Sequence, residues 1–204
     1  MKTLSFLWLL VCTTQFAFAQ KCNFGLKAGL NANEWYLTSS QTERPDLLAS
    51  NKIAISYELG ATASQKLCQK FRLNEEVLYS QRNTISRTSI NANQDFTTKY
   101  GYIAVPIFVS YNVYKPLSID FGGEYSRAVN SSSAFYKVLF SNRNFANALV
   151  GLRYNICTNF DVHARYLHPL SKISEIQWTD YNGQLLNKSK LRSRTFSLAV
   201  GYNF

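Results

Sequence analysis

Residues 194–204 read Arg-Thr-Phe-Ser-Leu-Ala-Val-Gly-Tyr-Asn-Phe, and from Thr195 onward apolar and small side chains alternate without exception. Successive side chains of a β-strand point to opposite faces, so this stretch predicts a strand with one wholly apolar face. That face carries Phe196, Leu198, Val200, Tyr202 and Phe204. The other face carries the small residues Thr195, Ser197, Ala199, Gly201 and Asn203, without the Lys and Glu that are common on a solvent-facing strand. This combination indicates an apolar face toward lipid and a narrow polar interior.

Seven further segments have strand patterns, and each is about 11 to 14 residues long. This exceeds the roughly five or six residues of an ordinary globular strand and suits a tilted strand that crosses a membrane. The eight predicted strands are Asn23–Asn33, Ile53–Gln65, Phe71–Asn83, Lys99–Asn112, Leu117–Val129, Phe145–Ile156, Phe160–Leu170 and Ser193–Phe204. In the fourth, both faces are apolar, and Pro106 predicts a local bulge or distortion because proline lacks a ladder donor.

The connections between these segments alternate strictly between long and short. The long ones are Glu34–Lys52, Thr84–Thr98, Asn130–Asn144 and Ser171–Arg192, and the short ones are Lys66–Lys70, Val113–Pro116 and Cys157–Asn159. Short periplasmic turns and long external loops are typical of outer-membrane barrels. The sequence therefore predicts an all-β fold, a transmembrane antiparallel up-and-down β-barrel of about eight strands. We expect it in the outer membrane of a Gram-negative bacterium, with both termini periplasmic.

The N-terminus has the features of a secretory signal peptide. Lys2 is followed by the apolar run Leu4–Val11, and Ala17-Phe18-Ala19 forms an A-x-A cleavage site. The run is too short for a membrane anchor, which needs roughly 20 apolar residues. We expect residues 1–19 to be the signal peptide and residues 20–204 to form one barrel domain.

The net charge of the chain indicates which molecules it meets. Removal of Lys2 with the signal lowers the formal charge from +10 to +9. An exported chain does not normally meet nucleic acid, so outer-membrane lipid and lipopolysaccharide phosphate are the expected counter-charges.

Cys22, Cys68 and Cys157 remain after export, and the first two belong to neighbouring strand ends. A Cys22–Cys68 disulfide and three free thiols are both open, the thiols being slightly favoured.

Nine charged residues lie on the polar strand faces and are expected inside the barrel. An eight-stranded barrel is only wide enough for its side chains, and a buried charge needs a partner. A paired structural network is therefore favoured over a proton or solute path, with Arg153 or Arg82 as the expected partner of Glu76. The nine residues are Lys27, Glu58, Glu76, Arg82, Asp120, Glu124, Arg153, Asp161 and Arg165.

The residue pattern predicts no enzyme. His163 shares a face with Asp161 and Arg165, which favours a hydrogen-bonded interior histidine over a catalytic one, whereas His168 is expected near the external rim as a contact residue. The sequence shows no metal-ligand spacing, phosphate-binding glycine loop or Cys-x-x-Cys motif, so no cofactor is expected.

Several segments resemble the PorT-like outer-membrane β-barrel proteins of the Bacteroidetes type. Gly25–Asn31 is similar to the first strand of that family, and Phe71–Gln81 to its third, with Glu76 and Tyr79 matching the Glu-Leu-x-Tyr core. Tyr102–Pro106 is similar to the fourth strand. Asp161–Leu170 is similar to the seventh, although His168 and Pro169 depart from the usual small residue.

The resemblance implies the fold more strongly than the task. We expect a non-enzymatic structural or binding barrel whose external loops contact surface glycolipid, a ligand or an envelope protein partner. The alternative that the family implies is a component of a protein-secretion apparatus, and a lipid-modifying barrel enzyme is a distant third. The terminal Phe204 resembles the signal that barrel-insertion machinery reads, which makes that machinery a further expected partner.

Overall fold

The computed structural model describes residues 22–39, 53–87, 95–132, 143–179 and 185–204. It contains nine strands within these ranges. They are β1 (Cys22–Ser39), β2 (Ala54–Lys66), β3 (Phe71–Arg87), β4 (Asp95–Tyr114), β5 (Leu117–Ser132), β6 (Asn144–Asn155), β7 (Phe160–Pro169), β8 (Ser174–Thr179) and β9 (Leu185–Asn203). Within these ranges, there is no helix long and apolar enough to cross a membrane. The predicted signal peptide lies outside these ranges.

Eight of the strands close into an antiparallel barrel. Each of β1 to β6 pairs with the next strand in chain order, β7 pairs with β9, and β9 pairs with β1. The closing ladder runs from Gly25 opposite Asn203 to Ser39 opposite Ser189. This confirms the predicted all-β up-and-down barrel.

The short turns and the described chain ends share one end of the barrel, which we call the turn end. Three tight connections lie there, between β2 and β3, β4 and β5, and β6 and β7. The backbone N–H of Phe204 donates to the carbonyl of Phe24 at 2.9 Å, which joins the two chain ends. The opposite end carries the longer connections, and we call it the loop end.

At the loop end, the strands are longer than the sequence pattern predicts. The connection predicted at Ser171–Arg192 contains β8 and the first part of β9, which form an additional hairpin from Ser174 opposite Leu191 onward. β1, β3 and β4 likewise extend into predicted loops, to Ser39, to Arg87 and from Asp95. Apolar alternation stops where the strands leave the lipid, but the ladder continues because the neighbouring strands continue beside it.

Pro106 distorts the sheet without creating a bulge. The β3–β4 ladder is interrupted between the pairs Glu75–Ile107 and Leu78–Ala104, and the register is the same on both sides. The register shifts in β4 occur elsewhere, at Gly101/Tyr102 and Asn112/Tyr114 in its pairing with β5. The predicted bulge or distortion at this proline is therefore present as an interruption of the ladder without a change of register.

The inward apolar residues of β4 fill the interior instead of forming a second lipid face. Phe108 packs with Leu149 and Leu167 near the middle of the barrel. A second group closes the interior toward the loop end, and we call it the apolar cap. It consists of Trp35, Tyr100, Tyr102, Phe145 and Ile173.

Candidate functional site

Seven of the nine predicted interior charges meet in one central cluster. Lys27 of β1 lies at its centre, with its Nζ 3.2 Å from Glu58 Oε1 and 3.1 Å from Glu76 Oε2. All three side chains are almost completely buried. Ser197 donates a further hydrogen bond to Glu58 Oε1 at 2.7 Å, so β9 is tied to β2 across β1. The lysine thus has two anionic partners from two different strands.

Glu76 also binds Arg165 in a bidentate pair. Nη1 and Nη2 of Arg165 each lie 2.7 Å from one carboxylate oxygen of Glu76. This planar two-bond geometry is the strongest form of charge-assisted hydrogen bonding in proteins. The guanidinium of Arg165 also lies 4.4 Å from the ring centroid of Phe108, so the apolar and charged parts of the interior are in contact.

A third part of the central cluster surrounds Asp120. Its Oδ2 lies 3.8 Å from Arg153 Nη2 and 3.9 Å from Arg165 Nη2, while Oδ1 accepts a hydrogen bond from Ser110. Among the described residues, Oδ2 itself has no hydrogen-bond partner. The two arginines balance the aspartate charge at a distance slightly beyond direct bonding.

His163 is hydrogen bonded on both sides. Arg165 Nη2 lies 3.0 Å from Nδ1, so Nδ1 acts as the acceptor, since a guanidinium cannot accept. Nε2 is then the protonated nitrogen and donates to Asp161 Oδ1. Asp161 also accepts from Asn203 Nδ2 at 2.9 Å. Because the imidazole is only 3 % exposed, its position does not suit contact with a substrate.

The remaining two predicted charges form a separate pair. Arg82 Nη2 donates to Glu124 Oε1 at 2.6 Å, and Asn147 Nδ2 donates to the same oxygen at 2.9 Å. The Arg82 guanidinium lies 5.1 Å from the ring centroid of Tyr102, a member of the apolar cap. Polar interior and cap are therefore continuous.

The structure places all nine predicted residues in the interior, but it pairs some of them differently. Glu76 binds Lys27 and Arg165. Of the expected partners, Arg82 binds Glu124 instead, and Arg153 lies 3.8 Å from Asp120. Sequence reasoning also missed the neutral donors that complete the network. They were visible only as small polar residues on the same strand faces as the charges, and they include Ser110, Asn147, Ser197 and Asn203.

The other predicted residues lie at the ends of the barrel. Cys22, Cys68 and Cys157 are free thiols, which corresponds to the alternative without a disulfide. His168 is exposed on the outer face of β7 toward the loop end, where its Nδ1 lies 3.3 Å from the Tyr166 hydroxyl. Phe204 points outward at the turn end and is 71 % exposed.

The outer wall has an apolar band between two rows of aromatic rings. The turn-end row contains the contacting pair Phe160–Tyr202, and the loop-end row contains Tyr166–Phe196, whose ring centroids are 4.9 and 4.8 Å apart. Aromatic girdles of this kind mark the two interfaces of a membrane. Glu75, half-buried on the outer face of β3, is a charged exception within the band.

A run of cations lies just beyond this band on β9. Lys190, Arg192 and Arg194 occupy alternate positions directly before Phe196, so they share its outward face, and we call them the basic stripe. Arg194 Nε lies 3.3 Å from Glu34 Oε2, and its guanidinium lies 4.5 Å from the ring centroid of Tyr36. Sequence reasoning placed Lys190 and Arg192 in a loop and Arg194 at the start of the last predicted strand, and it missed the stripe, although its alternation continues that of residues 196–204.

The barrel interior and the basic stripe differ in the chemistry that they allow. The interior is occupied by its own side chains, and a small polar cavity beside Arg153, Asp161 and His163 has a volume of about 10 Å³, room for roughly one water molecule. In the part of the chain that the structure describes, no three His, Cys, Asp or Glu side chains form a group that could hold a metal ion. The basic stripe is accessible and can bind anions.

A closed barrel of eight long strands, an outward apolar band and two aromatic rows define an outer-membrane β-barrel protein. A family model described as "Outer membrane protein beta-barrel domain" matches residues 4–204. The chain belongs to this family, and the outer membrane is its location.

Solved structures of small outer-membrane barrels are similar in fold. OprG from Pseudomonas aeruginosa is 11 % identical, with a TM-score of 0.51, and the match covers 91 % of this chain and 97 % of OprG. Neisserial surface protein A is 16 % identical, with a TM-score of 0.50, and the match covers 91 % of this chain and 100 % of that protein. A search of curated protein sequences gives no match. At these identities the likeness shows the fold alone.

Proposed function

We propose that this protein is a non-enzymatic outer-membrane barrel that binds the phosphate groups of lipopolysaccharide at its loop end. The observation that carries this proposal is the basic stripe. Three cations follow one another at alternate outward positions of β9, immediately past the lipid-facing residues Phe196 to Phe204.

The level of the stripe suits a phosphorylated head group. The outward apolar residues of β9 span nine positions, which is about the length of a tilted strand within the hydrocarbon. Arg194 lies two residues beyond Phe196, or about 6.6 Å along the strand. Its guanidinium is thus at the depth at which lipid head groups begin.

Neighbouring charges reduce the positive field without cancelling it. Glu34 contacts Arg194, and each of these two side chains is 39 % exposed, so the pair is an interfacial one of modest strength. Arg192 and Lys190 extend the positive charge farther from the membrane on the same face, where Glu175 is the cross-strand neighbour of Lys190. Three cations thus stand against two carboxylates. A phosphate can bind these cations by charge-assisted hydrogen bonds.

The proposal includes an orientation. The loop end faces the outside and the turn end faces the periplasm, because lipopolysaccharide is in the outer leaflet and the stripe lies toward the loop end. Short connections at the turn end are consistent with the usual arrangement of outer-membrane barrels.

The placement of His163 supports a binding role rather than catalysis. A lipid-modifying barrel needs its acid, base or nucleophile where a lipid can reach it, whereas His163, Asp161 and Asp120 are buried behind the barrel wall.

Binding to lipid A in nanodiscs tests the proposed function. The charge variant Lys190→Gln/Arg192→Gln/Arg194→Gln should lose most affinity for lipid A. The matched control Lys66→Gln/Lys70→Gln/Lys115→Gln removes three exposed cations from the turn end and should bind as the parent does. Affinity of the parent should fall as salt rises, because exposed charges are screened. Equal binding by parent and charge variant would refute the proposal.

We also propose that the chain belongs to the PorT-like group within its family, on the support of the four similar segments in β1, β3, β4 and β7. The secretion role implied by that group is separable from glycolipid binding by deletion of the gene. Loss of secreted proteins with an intact envelope would favour secretion, and increased permeability with normal secretion would favour glycolipid binding.

A further inference from the structure

A shallow apolar furrow crosses the outer wall beneath the basic stripe. It is formed between two neighbouring rows of outward side chains, has a volume of about 560 Å³ and lies within the usual range of small-molecule pockets, roughly 300 to 1,000 Å³. We call it the outer-wall furrow. Its lining includes Leu30, Ala32, Val150, Ala164, Phe196 and Leu198.

Small residues create the depth of the furrow. Ala164 lies between Leu152 and Leu198 in one row, and Ala32 lies beside Phe196 in the next. Gly151, which has no side chain, is also in the lining. Larger neighbours therefore stand above a floor of short side chains and backbone.

Along β1 and β9 the furrow lies in the same membrane leaflet as the basic stripe, and its far end reaches Ile119, next to the β4–β5 turn. On β9 it is lined by Phe196 and Leu198, which lie toward the loop end, and not by Tyr202 or Phe204 at the turn end. Phe196 is the next outward residue after Arg194, so cationic and apolar surfaces are continuous along one strand face. One lipid can contact both.

We infer that the outer-wall furrow holds an acyl chain of the same phosphorylated, multiply acylated glycolipid whose phosphates bind the basic stripe. This inference rests on the proposed function and specifies its ligand. The charge of the stripe selects the phosphate, and the furrow selects a ligand that carries hydrocarbon chains in the loop-end leaflet. A free phosphate or a phosphorylated sugar satisfies only the first requirement.

Filling the furrow tests this inference. The furrow variant Ala32→Phe/Ala164→Phe adds two rings to its floor, and Ala164→Leu is a milder version. The matched control Ala28→Phe/Ala61→Phe adds the same rings at exposed outward positions that do not line the furrow. All of these residues face lipid, and migration of unheated samples on gels verifies that each variant is folded.

The measurement compares lipid A with its fully deacylated phosphorylated sugar. The furrow variant should bind lipid A about fivefold to tenfold more weakly than the parent, a modest factor because lipid tails are surrounded by hydrocarbon in either place and the gain comes from packing. Its affinity for the deacylated sugar should be unchanged. The control should match the parent for both ligands, and the charge variant should be weak for both.

Other outcomes separate the inference from the proposed function. If the furrow variant binds lipid A as the parent does while the charge variant does not, the inference is wrong and the proposed function stands. If the charge variant binds normally, the proposed function itself fails. Equal binding of phosphatidylglycerol with the same sensitivity to furrow filling would show a general phospholipid site. A parent dimer that becomes monomeric in the furrow variant would assign the furrow to a second copy. Either result overturns the inference.

Discussion

Arg165 and Glu76 join opposite walls of the barrel through two hydrogen bonds of 2.7 Å each. Arg165 is on β7 and Glu76 on β3, and four strand steps separate them in either direction around the ring of eight. Both side chains are at most 3 % exposed. The pair therefore braces the barrel across its interior, where neighbouring-strand hydrogen bonds cannot act.

Replacement of Glu76 should destabilise the barrel. Glu76→Ala leaves Lys27 and Arg165 without their shared anion, and breaking a buried ion pair costs about 3–5 kcal/mol. We expect a lower free energy of unfolding in urea titrations of the protein in lipid. Glu34→Ala breaks the half-exposed pair with Arg194 and should cost at most about 1 kcal/mol. Equal stability of parent and Glu76→Ala would mean that water replaces the carboxylate.

Gly201 should tolerate no side chain. A Cβ at this position would overlap the Asp161 carboxylate and lie 3.3 Å from His163 Nε2. Gly201→Ala should therefore lower the free energy of unfolding by about 1–3 kcal/mol, the usual cost of overpacking. Gly123→Ala is the matched control, because the nearest atom to its Cβ is 3.5 Å away, an ordinary contact. A normal unfolding curve for Gly201→Ala would show that Asp161 can move aside.

The barrel should conduct no ions. The apolar cap closes the interior toward the loop end, and below it the Arg165 guanidinium packs on the Phe108 ring. We expect no single-channel steps when the parent is inserted into planar bilayers. The variant Trp35→Ala/Tyr100→Ala opens the apolar cap. It should still conduct no ions, because the central cluster continues to fill the interior. Steady conductance of the parent would instead favour a solute path through the charged interior.

Deletion of Phe204 should reduce insertion into the outer membrane. Phe204 packs edge-on against Tyr202 with ring centroids 5.4 Å apart and otherwise faces lipid. We expect less heat-modifiable barrel in the outer membrane, and normal export across the inner membrane, when it is deleted. Phe24→Ala removes a similarly exposed ring near the other chain end and should insert normally. Equal amounts of folded barrel in the deletion strain would exclude Phe204 as an assembly signal.

The parts of this structure that sequence predicts well are those that the membrane dictates. Phe196 to Phe204 alternate because one face meets lipid, and the same constraint made the eight barrel strands recognisable. Beyond the membrane this constraint ends, so β8 and the first residues of β9 were interpreted as loop. Their pairing, such as Glu175 opposite Lys190, depends on strand neighbours that the sequence does not reveal.

The interior charges also divide into features that the sequence predicts and features that it does not. A strand pattern predicts which charges point inward, because side-chain direction depends only on the two-residue period of the strand. It does not predict that Glu76 reaches Arg165 rather than Arg153, because partners across a barrel are set by the shear of the closed sheet. The basic stripe could have been found from its own alternation, had the predicted strand been extended from Ser193 back to Lys190.

Thiol labelling should establish which end of the barrel is outside. Cys68 and Cys157 are both exposed and lie in short turns at the turn end. In intact cells, a membrane-impermeant maleimide should leave them unlabelled, because the proposed orientation puts them in the periplasm. After permeabilisation of the outer membrane, both should react.

A loop-end cysteine provides the matched control for that experiment. Arg143→Cys, made in a chain in which Cys22, Cys68 and Cys157 are replaced by serine, puts one exposed position at the loop end. This variant should react in intact cells without permeabilisation. Labelling of Cys68 and Cys157 in intact cells, together with protection of the Arg143→Cys variant, would reverse the orientation. The basic stripe would then face the periplasmic leaflet, and lipopolysaccharide could not be its ligand.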